Sequence, residues 1–294
     1  MNNQEEILYS KFESLNKMRR KVLRRLVISY LVLFFLGIIS LSVVSKNDFD
    51  FDSLNVLWGI IIVIGIFTHR LILKNYRKRF KAEIVPIAIE QFGKDITYTP
   101  EGISSHYAKI TDMFGYFTSF KSEDTVFGKI EDVDFKCADV KVGFYRGSGK
   151  NRRYVKVCHG QFYIFDFNKR FRTSTVIREK SLRRPSGLEK IELESVDFNN
   201  TFKIYTSNPH DAFYILTPHF MEKLILLERN HPGDLYIAFY NNQLFIGINN
   251  DKDRFEPPIL SDINPTTIQS QLDDLYIIKD IIIELKLNNK IFIY

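Results

Sequence analysis

The chain has 294 residues, of which 45% are hydrophobic, and a formal net charge of +6. Up to Lys81 there are 14 Lys and Arg against 6 Asp and Glu, a net of +8, so the remaining chain carries −2. This near-neutral remainder weighs against a nucleic-acid-binding protein, because binding to phosphate backbones requires a basic domain. The two cysteines, Cys137 and Cys158, lie outside any CxxC pair or Cys/His ligand set, so the sequence predicts no metal site and no cofactor.

Two apolar runs lie near the start of the chain, at residues 26–44 and at about 54–73; the first is uncharged, and the second is uncharged as far as Thr68 and continues past His69 and Arg70. A helix of about 20 apolar residues crosses the hydrocarbon core of a bilayer. Basic residues lie outside both runs, and the loop between them contains Asp48, Asp50 and Asp52. Because positive flanks stay in the cytoplasm, the sequence predicts a transmembrane helical hairpin with two spans and both termini inside. The alternative is two buried core helices of a soluble domain.

The fold class predicted from the sequence is α+β. Residues 1–92 are expected to form the membrane hairpin with its flanking cytoplasmic helices. Residues 93–294 are expected to form a cytoplasmic domain of helices and antiparallel sheet. Either one continuous domain or two subdomains divided near residue 185 would fit this part of the chain.

The strongest strand signals predict a β-hairpin. Residues 135–142 and 154–165 are rich in aromatic and β-branched side chains, and a glycine-containing turn at 146–151 separates them. Pairing about that turn would place Cys137 and Cys158 opposite or nearly opposite each other.

Local signals predict further elements near the C-terminus. Thr217 followed by Pro218 is typical of a helix start, because the hydroxyl caps the first turn and proline fits the first position. Residues 235–240 and 244–248 are predicted to form a second hairpin. A long final helix is predicted to begin at Pro265, with an apolar stripe facing the core.

A strongly basic segment lies in the middle of the chain. Residues 141–184 contain 13 Lys and Arg against only Asp166 and Glu179. Either these charges neutralise the flanking acidic segments across the folded surface, or they face an anionic partner such as the inner leaflet. The candidate headgroup-binding residues are Arg146, Lys150, Arg152, Arg153, Lys169, Arg170 and Arg172.

No catalytic motif is assembled in the sequence. Residues 147–150 lack the glycine and the Ser or Thr that a phosphate-binding loop needs, and neither HExxH nor GxSxG occurs. The sequence therefore predicts no catalytic residue. Glu256 is a candidate functional acid, and the alternative is a surface turn in which Glu256 pairs with Arg254.

Four segments, in this order, carry a resemblance: 145–153 (YRGSGKNRR), 160–162 (GQF), 215–224 (ILTPHFMEKL) and 254–257 (RFEP). Together they resemble the bacterial domain-of-unknown-function 3137 family, whose members are uncharacterised two-span membrane proteins. The resemblance covers most of residues 70–294. It implies placement in the bacterial inner (cytoplasmic) membrane and a LemA-type membrane protein as a partner. It supplies no catalytic residues.

The sequence thus favours a non-enzymatic, membrane-anchored adaptor whose cytoplasmic domain binds a protein partner. The first alternative is a sensor of anionic lipid headgroups that uses residues 141–184, and the second is a membrane-bound enzyme with an unrecognised site. Small residues on the first span, Gly37, Ser40 and Ser42, offer a face for homo-oligomerisation.

Overall fold

The computed structural model describes residues 3–46, 51–166, 174–180 and 182–287. The chain divides into two units, which are described separately. The first unit contains residues 1–88 and 256–270, and the second contains residues 89–255 and 271–294. Residues 256–270 therefore group with the N-terminal helices, although they lie far along the chain. The predicted boundary after residue 92 stays a prediction.

Two long helices form most of the first unit. They are α1 (Asn3–Lys46) and α2 (Phe51–Glu83), and a short helix, α3 (Val85–Phe92), begins before the unit ends. The long helices are antiparallel, since Tyr30 contacts His69 whereas Gly37, further along α1, lies against Trp58, earlier in α2.

The apolar stretches of these helices are largely uncovered. Leu8–Leu41 and Asn55–Phe92 are long and apolar enough, by length and composition, to cross a membrane. Only 17% and 6% of their most apolar stretches are buried, whereas a core helix of a soluble protein is mostly buried. Two candidate membrane-spanning helices are thus present, as the two-span prediction requires.

Side chains of both helices bind the backbone of residues 258–263, and from α2 the Tyr76 hydroxyl donates to the carbonyl of Pro258 at 2.7 Å. Asn16 donates to the carbonyl of Ile263 and accepts from its amide, both at 2.8 Å. Arg19 donates to the carbonyl oxygens of Ile259 and Leu260, each at 3.1 Å. These contacts replace the regular hydrogen bonds that a segment without helix or strand structure lacks.

The small-residue face predicted on the first span is partly used within the chain. A Cβ atom at Gly37 would lie 3.0 Å from the Trp58 ring, so the glycine makes room for this indole. The Ser40 hydroxyl donates to the carbonyl of Gly37 at 2.7 Å, and the side chain of Ser42 lies outside the described residues. Homo-oligomerisation stays a prediction.

The second unit combines antiparallel strands with short helices, as the fold-class prediction requires. Its strands are β1 (Ile96–Glu101), β2 (Ser119–Ile130), β3 (Val133–Arg146), β4 (Arg153–Asp166), β5 (Thr175–Arg178), β6 (Glu189–Ile191), β7 (Lys203–Thr206), β8 (Asp234–Tyr240) and β9 (Gln243–Asn249). Its helices are α4 (His106–Thr111), α5 (Val196–Thr201), α6 (Pro209–Ile215), α7 (Pro218–Asn230) and most of α8 (Pro265–Glu284).

The strands within the described residues form one sheet in the order β1-β2-β3-β4-β9-β8-β5-β7-β6. Every neighbouring pair is antiparallel. Strands before and after residue 185 pair in this same sheet, because β5 lies beside β7.

The predicted β3–β4 hairpin is confirmed, but its cysteine register is wrong. Cys137 pairs with Tyr163, and Cys158 pairs with Val142. The two thiols are thus five positions apart along β3, about 17 Å at the ordinary strand rise. A bulge between Val142 and Gly143 contributes to the shift, because an extra residue on one strand changes every later pairing.

The elements predicted near the C-terminus, two helices and a hairpin, are also confirmed. The Thr217 side chain accepts a hydrogen bond from the amide of Phe220 at the start of α7, and Pro218 is the first helical residue. The β8–β9 hairpin turns through Asn241, whose positive φ of 55° suits a two-residue turn.

One hydrophobic core covers a face of the sheet. Phe114, in the loop after α4, lies 5.5 Å from the Phe162 ring and 5.2 Å from the Tyr236 ring. A Cβ atom at Gly247 would lie 2.8 Å from Phe114, so the glycine lets this ring reach the sheet. Three strands and the loop are thereby joined by aromatic packing.

Replacement of Gly160 is expected to destabilise the second unit. A Cβ atom there would lie 2.1 Å from the backbone oxygen of Ile248, so β4 and β9 would have to move apart. Gly160→Ala should lower the free energy of unfolding by about 1–3 kcal/mol, the usual cost of overpacking. Chemical denaturation of the full chain in detergent measures this loss. Gly59→Ala is the control, because nothing lies within 4 Å of its added Cβ, and equal stabilities of the two variants would contradict the prediction.

Candidate functional site

The tip of the β3–β4 hairpin brings together four of the predicted headgroup-binding residues. Arg146 ends β3, Lys150 lies in a short 3-10 turn over Gly149–Asn151, and Arg152 and Arg153 lead into β4. All four side chains are exposed. The other predicted residues, Lys169, Arg170 and Arg172, lie outside the described residues.

The tip extends beyond the rest of the sheet. β2 pairs with β3 only as far as Gly143, and β9 pairs with β4 only from Gln161 onward. Past Gly143 the two strands of the hairpin therefore pair only with each other within the described ladder. This ribbon, residues 144–155, is called the hairpin tip below.

Like charges face each other on the hairpin tip. Arg146 lies directly opposite Arg153, and such cross-strand pairs of like charge are destabilising. Among the described residues no acidic side chain forms an ion pair with these arginines, with Lys150 or with Arg152. An external anion would relieve the repulsion.

Two exposed tyrosines flank these cations. Tyr145 lies opposite Tyr154, with the rings in edge contact at 5.4 Å, and the two are 48% and 44% exposed. The Arg152 guanidinium lies 4.2 Å from the centre of the Tyr145 ring. Amphipathic rings beside cations are typical of surfaces that lie at the headgroup level of a membrane.

Elsewhere in the basic segment, lysines are paired with acids from the flanking acidic segment. Lys141 contacts Asp253 at 2.6 Å, and Lys180 contacts Asp234 at 2.6 Å. Lys156 pairs with Asp251. These pairs agree with the expectation of neutralisation across the folded surface, whereas the hairpin tip keeps its charge.

His159 lies between Asp251 and Asp253. Its Nε2 lies 2.9 Å from Asp253, and its Nδ1 lies 3.3 Å from Asp251. Burial alone would raise the pKa of Asp253, but hydrogen bonds from Lys141 and His159 outweigh it and hold the pKa below its usual range. Asp253 is therefore ionised at neutral pH.

Glu179, beside Lys180, behaves in the opposite way. Its carboxylate accepts a hydrogen bond from the amide of Leu235 at 2.8 Å. Burial, with Glu228 and Asp234 nearby, raises the pKa of Glu179 to about 7. This acid thus changes its charge within the physiological range.

A buried ion pair joins Arg254 to Asp139, which lies two residues before Lys141 on β3. The Arg254 side chain is 3% exposed and donates from Nε to Asp139 at 2.7 Å. Its Nη1 lies 2.9 Å from the sulfur of Cys137. Glu256 is the candidate functional acid for which the alternative was a surface pair with Arg254, and it instead pairs with Arg77 at 2.9 Å in the first unit. No local pattern indicates Asp139 as the partner, because the two residues are 115 positions apart in the chain.

Neither cysteine is poised for nucleophilic chemistry. Cys137 and Cys158 are fully buried, and burial raises the pKa of both thiols. Both therefore stay protonated near neutral pH, whereas the thiolate is the reactive form. Within the described residues no group of three His, Cys, Asp or Glu side chains is placed to hold a metal ion.

Part of the chain is similar to a family of known proteins. A family model described as "Protein of unknown function (DUF3137)" matches residues 156–287. The chain resembles this family. Three of the four resembling segments lie within the match, whereas the hairpin-tip segment at 145–153 lies outside it, and the match begins later than the expected residue 70.

The solved structures include one similar chain, the mycobacterial trehalose monomycolate transport factor A, TtfA. The two chains share 13% sequence identity, and the TM-score is 0.38. The similarity covers 71% of this chain and 95% of that one. No curated protein matches the chain.

Breaking the buried pair is expected to destabilise the second unit. Asp139→Asn would leave the Arg254 guanidinium buried without a counter-charge, a change that costs about 3–5 kcal/mol. The control is Asp134→Asn on the same strand, whose partner Lys129 lies 3.4 Å away in an exposed pair. That change should cost less than about 1 kcal/mol. Urea unfolding of the full chain in detergent distinguishes the two, and similar losses would contradict a dominant buried pair.

Glu179 is expected to make stability fall as pH rises. Its folded pKa of about 7 lies above the ordinary value of 4.5, so the folded state keeps a proton that the unfolded state loses. Stability should therefore decline between about pH 4.5 and 7 and then level off. Glu179→Gln keeps an acceptor for the Leu235 amide but does not titrate, so its unfolding free energy should fall less across this window. Equal slopes for the two proteins would show that another group titrates there.

Proposed function

We propose that the chain is a bacterial inner-membrane protein with two spans and with both termini and the second unit in the cytoplasm. The support is the uncovered apolar surface of α1 and α2, together with basic residues outside both runs and aspartates between them. Exposed side chains such as Phe34, Val63 and Phe67, each more than 60% accessible, would be unfavourable in water.

The function that the geometry supports best is binding of anionic lipid headgroups by the hairpin tip. The observation that supports this proposal most strongly is the Arg146–Arg153 pair, in which two positive charges lie opposite each other and no described acidic side chain pairs with them. The repulsion between them would not stabilise a purely structural turn, whereas it would favour binding of an anion. Each Lys or Arg beside an anionic membrane contributes about 1 kcal/mol.

The flanking tyrosines favour a lipid surface over free anions. Tyr145 and Tyr154 present rings with polar ends beside the cations, the composition that is enriched at the membrane interface. The partner nearest to a membrane-anchored domain is the inner leaflet, which is rich in anionic lipid. Lipid binding at the tip would then report the surface charge of that leaflet.

A second candidate is the adaptor function expected from the sequence. Two exposed apolar side chains on helices of the second unit, Val196 of α5 at 69% and Phe213 of α6 at 48%, are compatible with a protein contact. A LemA-type membrane protein is the partner implied by the family resemblance.

Affinity purification in mild detergent tests the adaptor function. The Phe213→Ser variant should lose a specific partner that the Arg146→Gln/Arg153→Gln variant retains.

The headgroup proposal predicts that the hairpin tip contacts lipid only when the bilayer is anionic. Ser148→Cys, at the exposed tip, carries a fluorophore, and the buried Cys137 and Cys158 should not react. In nanodiscs with quencher lipids, quenching should rise when phosphatidylglycerol is added and fall at high salt. Arg146→Gln/Arg153→Gln should weaken this contact about 30-fold, the loss of two cations.

The matched control is Lys129→Gln/Lys279→Gln, which removes the same charge away from the tip. This variant should be quenched like the unmodified chain. The arginine double variant should be at least as stable as the unmodified chain, because a repulsive pair is removed. Quenching that does not depend on anionic lipid would overturn the headgroup proposal.

A further inference from the structure

A pocket of about 280 Å³ opens on the sheet beside the hairpin tip. Its lining includes Ser119, Lys121, Lys141, Tyr154, Lys156 and His159, from three neighbouring strands. This volume lies just below the roughly 300–1,000 Å³ range of pockets for drug-sized ligands. A compact polar ligand is therefore the kind that fits.

The pocket is crossed by a row of basic side chains at one level of the sheet. Lys121 of β2 lies opposite Lys141 of β3, and Lys141 lies opposite His159 of β4. Neighbouring strands are about 4.8 Å apart, so the row spans only about 10 Å. Lysines directly opposite each other are destabilising in a sheet, so the row needs negative charge beside it.

Part of that negative charge comes from the loop after β9. Asp253 contacts both Lys141 and His159, and Asp251 contacts Lys156. Lys121 forms no ion pair with any residue that the structure describes. Three lysines against two aspartates leave one positive charge, with Lys121 facing the pocket.

Hydroxyl groups supply neutral hydrogen-bond donors at the same place. A Cβ atom at Gly143 would lie 2.4 Å from the Tyr154 hydroxyl, so this glycine makes room for the tyrosine over the sheet. Burial raises the pKa of Tyr154, so the hydroxyl stays protonated and can donate. Ser119 lies opposite Gly143 and adds a second hydroxyl to the lining.

The donor set matches a phosphate group better than a carboxylate. Lysine ammonium groups act as point charges that approach an anion from several directions, which suits a tetrahedral phosphate. Planar carboxylates are matched instead by the fork of an arginine, and the pocket lining contains none.

We propose that this pocket binds a phosphate monoester, with Lys121 and Lys141 beside the phosphate and Tyr154 as a hydrogen-bond donor to it. The ester could come from a soluble metabolite or from a phosphatidic-acid headgroup. The inference goes beyond the proposed function, because a soluble ester would bind here without any contact between the hairpin tip and lipid.

The test is titration calorimetry on the full chain in phosphatidylcholine nanodiscs, with inorganic phosphate and glycerol 3-phosphate as probes. Both should bind saturably, the ester more tightly. Lys121→Gln should weaken binding at least about tenfold, since it removes a charged hydrogen-bonding partner. Tyr154→Phe should weaken it by a smaller factor. Lys129→Gln, on the same strand but outside the pocket, should bind as the unmodified chain does.

Two further arms separate the alternatives. Arg146→Gln/Arg153→Gln should keep its affinity for glycerol 3-phosphate. The pocket proposal can therefore hold even if the headgroup proposal fails. Phosphatidic acid in the nanodisc should weaken binding of the added ester if the natural ligand is a lipid, and should leave it unchanged if the ligand is soluble.

Three outcomes would overturn the pocket assignment. The first is no saturable binding of either probe at millimolar concentration. The second is equal affinity of Lys121→Gln and the unmodified chain, with unfolding curves that show both to be folded. The third is loss of binding in the arginine double variant, which would place the ligand at the hairpin tip.

Discussion

The buried contact between Arg254 and Asp139 holds the loop after β9 in place, and the charged surface of the second unit depends on the position of this loop. Taking two charges out of water costs several kcal/mol per ion, so such a pair persists only where further hydrogen bonds satisfy both groups. Here the Arg254 amide also donates to Asp139, and its guanidinium reaches the carbonyl of Asp124 at 3.4 Å. Backbone and side chain of one residue are thus held against β2 and β3 together, which determines where the loop after β9 lies.

This anchoring has a direct consequence for the lysine row. Asp251 and Asp253 precede Arg254 by three residues and one residue, so a loop held at Arg254 presents both carboxylates to β3 and β4. The carboxylates in turn hold Lys141 and Lys156 in place before any ligand arrives. Side chains ordered in advance lose less entropy on binding, which favours affinity for a small anion. The same aspartates also compete with that anion, so the uncompensated Lys121 contributes most to the attraction.

Sequence reasoning succeeded where the signal was local and failed where it depended on register. The β3–β4 turn and the Thr217 cap are set by residues within a few positions of each other, and both were predicted. The cysteine register follows mainly from the pairing of Arg146 with Arg153, which alone would place Cys137 opposite Phe162, and the bulge at Val142 moves its partner one residue further, to Tyr163. The alternative in which Arg254 pairs with its neighbour Glu256 is wrong, because the partner of Arg254 is Asp139 on a distant strand. The arginines of the hairpin tip could be grouped from the sequence because they lie within eight residues of each other, whereas only the sheet places Lys121 beside Lys141.

The division of charge along residues 141–184 follows from the same geometry. Lys141 of β3 and Lys156 of β4 are paired with Asp253 and Asp251 of the loop after β9, and Lys180, which follows β5, is paired with Asp234 at the start of β8. Past Gly143 the hairpin has no neighbouring strand within the described ladder, so acids from the rest of the sheet do not approach. The arginines also face each other there, and no acidic side chain of the described residues forms an ion pair with them. Net charge of the segment alone could not show this, since it depends on which residues of the hairpin the acids of the loop after β9 reach.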